Sequence, residues 1–297
     1  MTRTSRPSLG VFLGAVVSIA AVVATTPPLA AQEEKPAQEK PAFDWVAGPL
    51  RADLGKHAQV QVPEGYVFLG QKQAGELMQA LGNPPTGQEE GVIAPTAEDQ
   101  NWMLVFEFDG MGYVKDDDKA SLDADAILKS IRKGTEEANK YREKHGAPAL
   151  TIVGWEVAPR YNETTHLLEW CIRGESEGRP MLNYNTRVLG RRGVMSATLL
   201  VGPEELEATL PTYRELLSTF DFMSGNRYAE FQKGDRVAEI GLTALVAGGA
   251  GALALKTGLF KKFFKLIIVG GVAVVSAVGR TVKRLLGKRG EPITPTA

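Results

Sequence analysis

Apolar sequence is concentrated at the two ends of this chain, which restricts the fold to a polar globular middle between membrane-directed termini. A short apolar run, residues 9–23, follows Arg3 and Arg6; two longer ones, separated by lysines, fill residues 237–279. The basic start, the short apolar core, Pro27-Pro28 and the small residues Ala30 and Ala31 make the pattern of a secretory signal over residues 1–31. Residues 32–41 contain only Gln, Glu, Lys, Pro and Ala, so residues 32–42 are expected to be a flexible tether.

Charge divides the same way. Residues 32–236 carry 33 acidic and 23 basic side chains, a net of −10, whereas residues 237–297 carry 9 basic and 2 acidic, a net of +7. An acidic domain of residues 43–236 excludes nucleic acid as the expected partner, because phosphate binding needs a basic face. The basic tail of residues 280–297 fits anionic lipid head groups and the rule that cationic loops stay in the cytoplasm.

Residues 237–258 are long enough to cross a bilayer if Glu239 and Lys256 sit near its interfaces. Ala244, Gly248 and Ala252 recur four apart, a spacing that permits helix-mediated self-association. Residues 263–279 are apolar all round but short. Lys256, Lys261, Lys262 and Lys265 mark the intervening loop as cytoplasmic, and Arg280, Lys283, Arg284, Lys288 and Arg289 mark the tail likewise. One full span keeps all nine charges inside; a two-span hairpin, which the second segment's hydrophobicity leaves open, would export five.

The middle has one cysteine, Cys171, so its stability must come from packing rather than an internal disulfide. Strands are expected at residues 57–62, 66–69, 101–109, 150–157, 164–173, 181–189 and 194–201. Helices are expected at 74–81 and 123–145 and after Pro203, with a polar loop running to Gln100. Helices set apart from a consecutive run of strands imply an α+β fold: an antiparallel sheet covered by helices on one face, plus a C-terminal transmembrane helix or helices.

Three constellations could carry chemistry. Alternation along residues 181–189 puts Asn183, Asn185 and Arg187 on one strand face. If residues 164–173 form a hairpin with that strand, Glu169 joins this face, and the ladder could bind a carboxylate or a glycan. The alternative is a solvated face with an ion pair worth under about 1 kcal/mol. Asp116, Asp117, Asp118, Asp123 and Asp125 precede the long helix. Asp116, Asp118 and Asp123 could ligate a hard cation, but the spacing is not that of an EF-hand, and a helix N-terminus favours acidic residues by itself. Cys171 and His166, five apart on a strand, face opposite sides, so a thiol dyad is not expected there. His57, His145 and His166 have no zinc spacing, and with no nucleotide or nucleophile-elbow motif present, neither a cofactor nor a catalytic set is assigned.

The segments from Gly112 to Asp118, from Thr165 to Trp170, from Asn183 to Arg191 and from Gly241 to Gly251 together resemble a family of membrane-anchored prokaryotic proteins classed as domain of unknown function 2167. The resemblance spans nearly all of the chain after the tether. It implies membrane anchoring and supplies no activity or catalytic residue. The expected protein is therefore a membrane-anchored extracytoplasmic envelope module, periplasmic where an outer membrane exists, contacting lipid and an envelope protein. The rival is an envelope hydrolase or transferase built on Glu169 and Arg187.

Overall fold

Short alternating apolar runs pair here into two antiparallel sheets. The computed structural model describes residues 43–81, 86–144, 146 and 148–247. The signal, the tether, residues 248–279 and the basic tail lie outside the described residues, as do His145, Gly248 and Ala252.

In chain order the elements are β1 (Val46–Ala47), β2 (Leu50–Leu54), β3 (Ala58–Val62), β4 (Tyr66–Gly70), α1 (Gln71–Ala80), β5 (Glu89–Pro95), β6 (Met103–Asp109) and α2 (Ala124–Lys144). They continue as β7 (Thr151–Asn162), β8 (Leu167–Ser176), β9 (Arg179–Leu189), β10 (Val194–Val201), α3 (Leu206–Ser218), β11 (Asp221–Phe222) and α4 (Leu242–Val246). The large sheet has the order β1-β4-β5-β6-β10-β9-β8-β7, and a small one the order β11-β3-β2. Two layers of core follow from that order. Trp102, Leu104 and Phe106 alternate onto one face of β6 as expected, and meet α3 and the small sheet there. The other face carries two separate apolar clusters: one under α1 with Val92, Met103 and Val105, the other under α2 with Leu168, Trp170 and Ile172.

Helices therefore cover both faces of the large sheet rather than one. The cause is visible in β10, where seven of eight residues are buried, so both its faces need a covering layer. The expected polar loop before Gln100 is also corrected. Glu89–Pro95 is a fully buried strand whose two leading glutamates disguise it; alternation sends their carboxylates to opposite faces, and a bulge between Glu89 and Gly91 shifts the register against β6.

Residues 237–247 of the first apolar segment pack on the domain. Val237 bridges Tyr113, and Leu242, Leu245 and Val246 join the cluster of Ile127 and Ile131. Each such side chain contributes about 1.5–3 kcal/mol when buried. A chain ending at Gly234 is thus expected to melt about 5 °C or more below one ending at Ala247. Equal calorimetric midpoints would show that residues 237–247 add nothing to the domain.

Among the described residues no helix is long and apolar enough to cross a membrane.

Candidate functional site

Between the two apolar clusters, on the face they share, the central strands carry a polar row. Register places Glu89 of β5 opposite Glu107 of β6, Glu107 opposite Ser196 of β10, and Ser196 opposite Arg187 of β9. One step along lies Thr198 opposite Asn185, itself opposite Trp170 of β8. Helix α1 covers the sheet on one side of this row and α2 on the other.

Arg187 is 8 % exposed, and its guanidinium lies 4.8 Å from the centroid of the Trp170 ring. Its Nη1 is buried without a hydrogen-bond partner. Burial pulls the guanidinium down to about 10, and the charge of Glu107 works against that pull. Glu107 in turn is pushed up to about 7 by burial, with Arg187 opposing and Glu89 reinforcing the shift. For Glu89 burial would also raise the pKa, but hydrogen bonds from the Thr86 hydroxyl and from backbone N–H groups outweigh it and hold the carboxyl below its ordinary range. The Thr86 hydroxyl lies 2.7 Å from Glu89 Oε1 and 3.3 Å from Glu107 Oε1. One hydroxyl has one proton to give. With Thr86 donating to ionised Glu89, a protonated Glu107 completes the chain by donating to the Thr86 oxygen. Two carboxyls with pKa values driven apart are an acid–base pair in chemical terms.

The expected Asn–Asn–Arg face exists, but it is neither solvated nor free. Asn183 and Asn185 are buried; Thr198 Oγ1 donates to Asn185 Oδ1 at 3.3 Å, and Asn185 Nδ2 donates to the Asn183 carbonyl at 2.9 Å. The first contact ties β10 to β9, and the second lies within β9.

Glu169 is not on this face. It pairs with Thr186, and Arg187 pairs with Leu168, so the two charged side chains project from opposite sides of the sheet. The reason is the length of the turn. Strands β8 and β9 run to Ser176 and Arg179 and leave a two-residue loop, Glu177-Gly178, with both φ angles positive (52° and 73°). A two-residue loop of this hand always sets odd positions opposite even ones, whereas an odd-length loop would have kept Glu169 with Arg187. The signal available in the sequence was Gly178 between two alternating strands. On its own face Glu169 Oε2 is 3.4 Å from Arg160 Nη2, and Tyr184 OH, itself accepting from Arg160 at 3.1 Å, donates to Glu169 Oε1 at 3.4 Å.

The acidic cluster separates into three unrelated tasks. Asp116 Oδ2 accepts from Tyr161 OH at 3.2 Å. Asp118 accepts from the backbone N–H groups of Leu242 and Thr243 at 3.0 and 3.1 Å, capping α4. Asp123 Oδ1 accepts from Asp125 and Ala126 N–H at 3.1 and 3.0 Å, capping α2. No group of three metal-ligating side chains occurs among the described residues.

Sequence reasoning missed a second buried acid. Glu90, on the opposite face from Glu89, is 3 % exposed, has a buried Oε2 without a partner, and sits 3.7 Å from His57 Nε2. His57 stacks on Phe108 with ring centroids 3.7 Å apart. Burial pushes the Glu90 carboxyl up to about 7, against the pull of Lys56, and burial with the Lys56 charge holds His57 low. Cys171 is fully buried and far from a nucleophile: burial first, and the Glu156 charge next, push its thiol up to about 12. The folded protein at pH 8 is expected to leave Cys171 unlabelled by an aromatic disulfide reagent and to release one equivalent in denaturant. Rapid labelling of the folded protein would contradict that burial.

Comparison with known proteins places the chain in a family without adding an activity. Solved structures similar to it include cyanobacterial PsbP from Synechocystis sp. PCC 6803, 12% identical over 63% of this chain and 96% of that one, at a TM-score of 0.34. A Pseudomonas aeruginosa protein of unknown function, PA94, is 11% identical over 57% of this chain and 94% of that one, at 0.24. The immunity protein TplEi of the T6SS from Pseudomonas aeruginosa is 9% identical over 65% and 80%, at 0.25. No curated protein matches the chain. A family model does match, over residues 47–279, which is well over half of the sequence and includes every element from β2 to α4. The chain belongs to the family described as protein of unknown function DUF2167.

Proposed function

We propose that this protein is a membrane-anchored binding module of the cell envelope, with its acidic α+β domain outside the cytoplasm and periplasmic where an outer membrane exists. The observation that carries the reading is the partition of the sequence: residues 32–236, of net −10, precede apolar segments flanked by nine cations. Because α4 packs on the domain, a crossing begins after Ala247 or requires α4 to leave its cluster. Lipid and an envelope protein are the proposed partners. The hydrolase reading through Glu169 and Arg187 loses its geometry, since the two lie on opposite faces.

The test is capture from native membranes. A tagged full-length chain should remain in the pellet after an alkaline carbonate wash and, solubilised in mild detergent, retain a defined envelope protein. Release by carbonate would overturn the anchor. The pKa values driven apart at Glu89 and Glu107 favour one second reading, acid–base chemistry at the row. Turnover of an envelope-derived substrate that is lost in a folded Glu107→Gln variant would select it over the binding module.

A further inference from the structure

We propose that the end of the domain built around Tyr113, Phe231 and Val237 rests on the surface of an anionic bilayer, a reading that presumes the membrane anchor proposed above. Large exposed apolar side chains are few among the described residues, and two of them, Phe231 at 38 % and Val237 at 39 %, lie together here. Tyr113 joins them: its ring is 4.2 Å from that of Phe231 and 4.4 Å from that of Tyr228, and its backbone bridges Val237. Stacking makes this a rigid aromatic platform rather than a loose loop. Tyrosine and phenylalanine at such a platform suit the boundary between head groups and acyl chains.

Charge around the platform is close to balanced, unlike that of the domain as a whole. Arg192, Lys233 and Arg236 are exposed. Gly112, at φ +103°, holds them close: its N–H donates to the Arg192 carbonyl at 3.2 Å, and a side chain there would collide with the Arg236 carbonyl. The nearby carboxylates are engaged. Asp235 accepts two hydrogen bonds from Arg191 at 2.7 and 2.8 Å, and Glu230 accepts from the Arg227 N–H at 2.8 Å. Exposed Lys115 and Asp117 offset each other, Arg227 is shared by Asp221 and Glu230, and Asp116 and Glu239 stand against the three cations, so the patch is close to neutral. A near-neutral aromatic patch is the part of this acidic domain that anionic head groups repel least.

Chain connectivity supplies the independent argument for this occupant. Asp118 caps α4 beside the platform, and α4 ends at Val246, directly before the apolar sequence of residues 248–279. A segment anchored there brings this end of the domain to the bilayer at high effective concentration, with no long linker to dilute it.

The test uses the full chain in a Cys171→Ala background, reconstituted in vesicles of phosphatidylcholine and phosphatidylglycerol, with a fluorophore on Phe231→Cys or on Val153→Cys. Val153 is exposed at the far end of the sheet, near the β8–β9 turn. Brominated lipid should quench the probe at position 231 by about threefold and leave the one at 153 unchanged. Adding Lys233→Glu and Arg236→Glu should abolish most of the quenching at 231, and quenching that survives both reversals overturns the anionic assignment. Vesicle flotation separates the two proposals. Protein that floats without quenching at 231 overturns the platform and leaves the anchor standing; protein that does not float overturns both.

Discussion

Glu90→Gln is expected to remove much of the domain's loss of stability between pH 5 and pH 8. The carboxyl is 3 % exposed, with one oxygen unpartnered and the other 3.7 Å from a histidine whose own pKa burial lowers. Its pKa is about 7 in the fold, against 4.5 for the free group. The sign follows from that order. Below about 4.5 the side chain is protonated folded or unfolded, and nothing is lost. As pH rises toward 7 the unfolded chain releases its proton while the folded one retains it, so ionisation favours unfolding. The shift corresponds to a difference on the order of 3 kcal/mol, complete once the pH exceeds 7. Glu107, also raised to about 7, acts in the same direction and window. Asp235, held at about 2 by its hydrogen bonds from Arg191, acts oppositely and loses its contribution only in strong acid. Denaturant titrations at pH 5 and pH 8 read the effect. A wild-type domain equally stable at both values, or a variant with the same pH dependence as the wild type, would show that Glu90 is not held protonated.

Arg187→Ala is expected to cost about 3 kcal/mol or more in unfolding free energy, because it empties a buried site beside the Trp170 ring. The guanidinium fills the space over the Trp170 ring, and its charge favours the ionised form of Glu107. Lysine should recover little of the loss, since an ammonium reproduces neither the planar stacking nor the fork of donors. The double variant Arg187→Met with Glu107→Gln is expected to recover at least about 1 kcal/mol relative to the sum of the single effects. Strict additivity in that cycle would mean that the row is not one electrostatic unit.

What was legible in the sequence is local, and what was not is cross-strand. Alternation in Trp102, Leu104 and Phe106 assigned the face of β6 correctly, and the same rule placed Asn183, Asn185 and Arg187 together on β9. The stripe of Ile127 and Ile131, and Asp123 as the cap before it, identified α2. By contrast, the polar row draws Glu89, Glu107, Arg187 and Ser196 from four strands, and only the register of those strands brings them into line. Glu169 was misplaced because face parity across a hairpin depends on the number of residues in the turn, and the strands extend closer to Gly178 than alternation alone indicates. Strand β5 was hidden because two buried glutamates open it, a local pattern that reads as loop until the bulge and the partners of both carboxyls are known.

The acidic cluster illustrates the same limit from the other side. Its residues have adjacent numbers and disparate duties: Asp116 meets a tyrosine, Asp118 caps the helix that begins the C-terminal apolar segment, and Asp123 caps α2. Proximity in sequence suggested a shared ligand where the fold distributes the charges among two helix ends and a hydroxyl.

The domain and the C-terminal tail are proposed to lie on opposite sides of one membrane. Paired reporters on the full chain test it most directly, one inserted in the tether at residues 32–42, where no described packing is disturbed, and one fused after Ala297. An extracytoplasmic signal is expected from the tether and a cytoplasmic signal from the tail, following the charges of Arg280, Lys283, Arg284, Lys288 and Arg289. Both reporters on the same side of the membrane would contradict it.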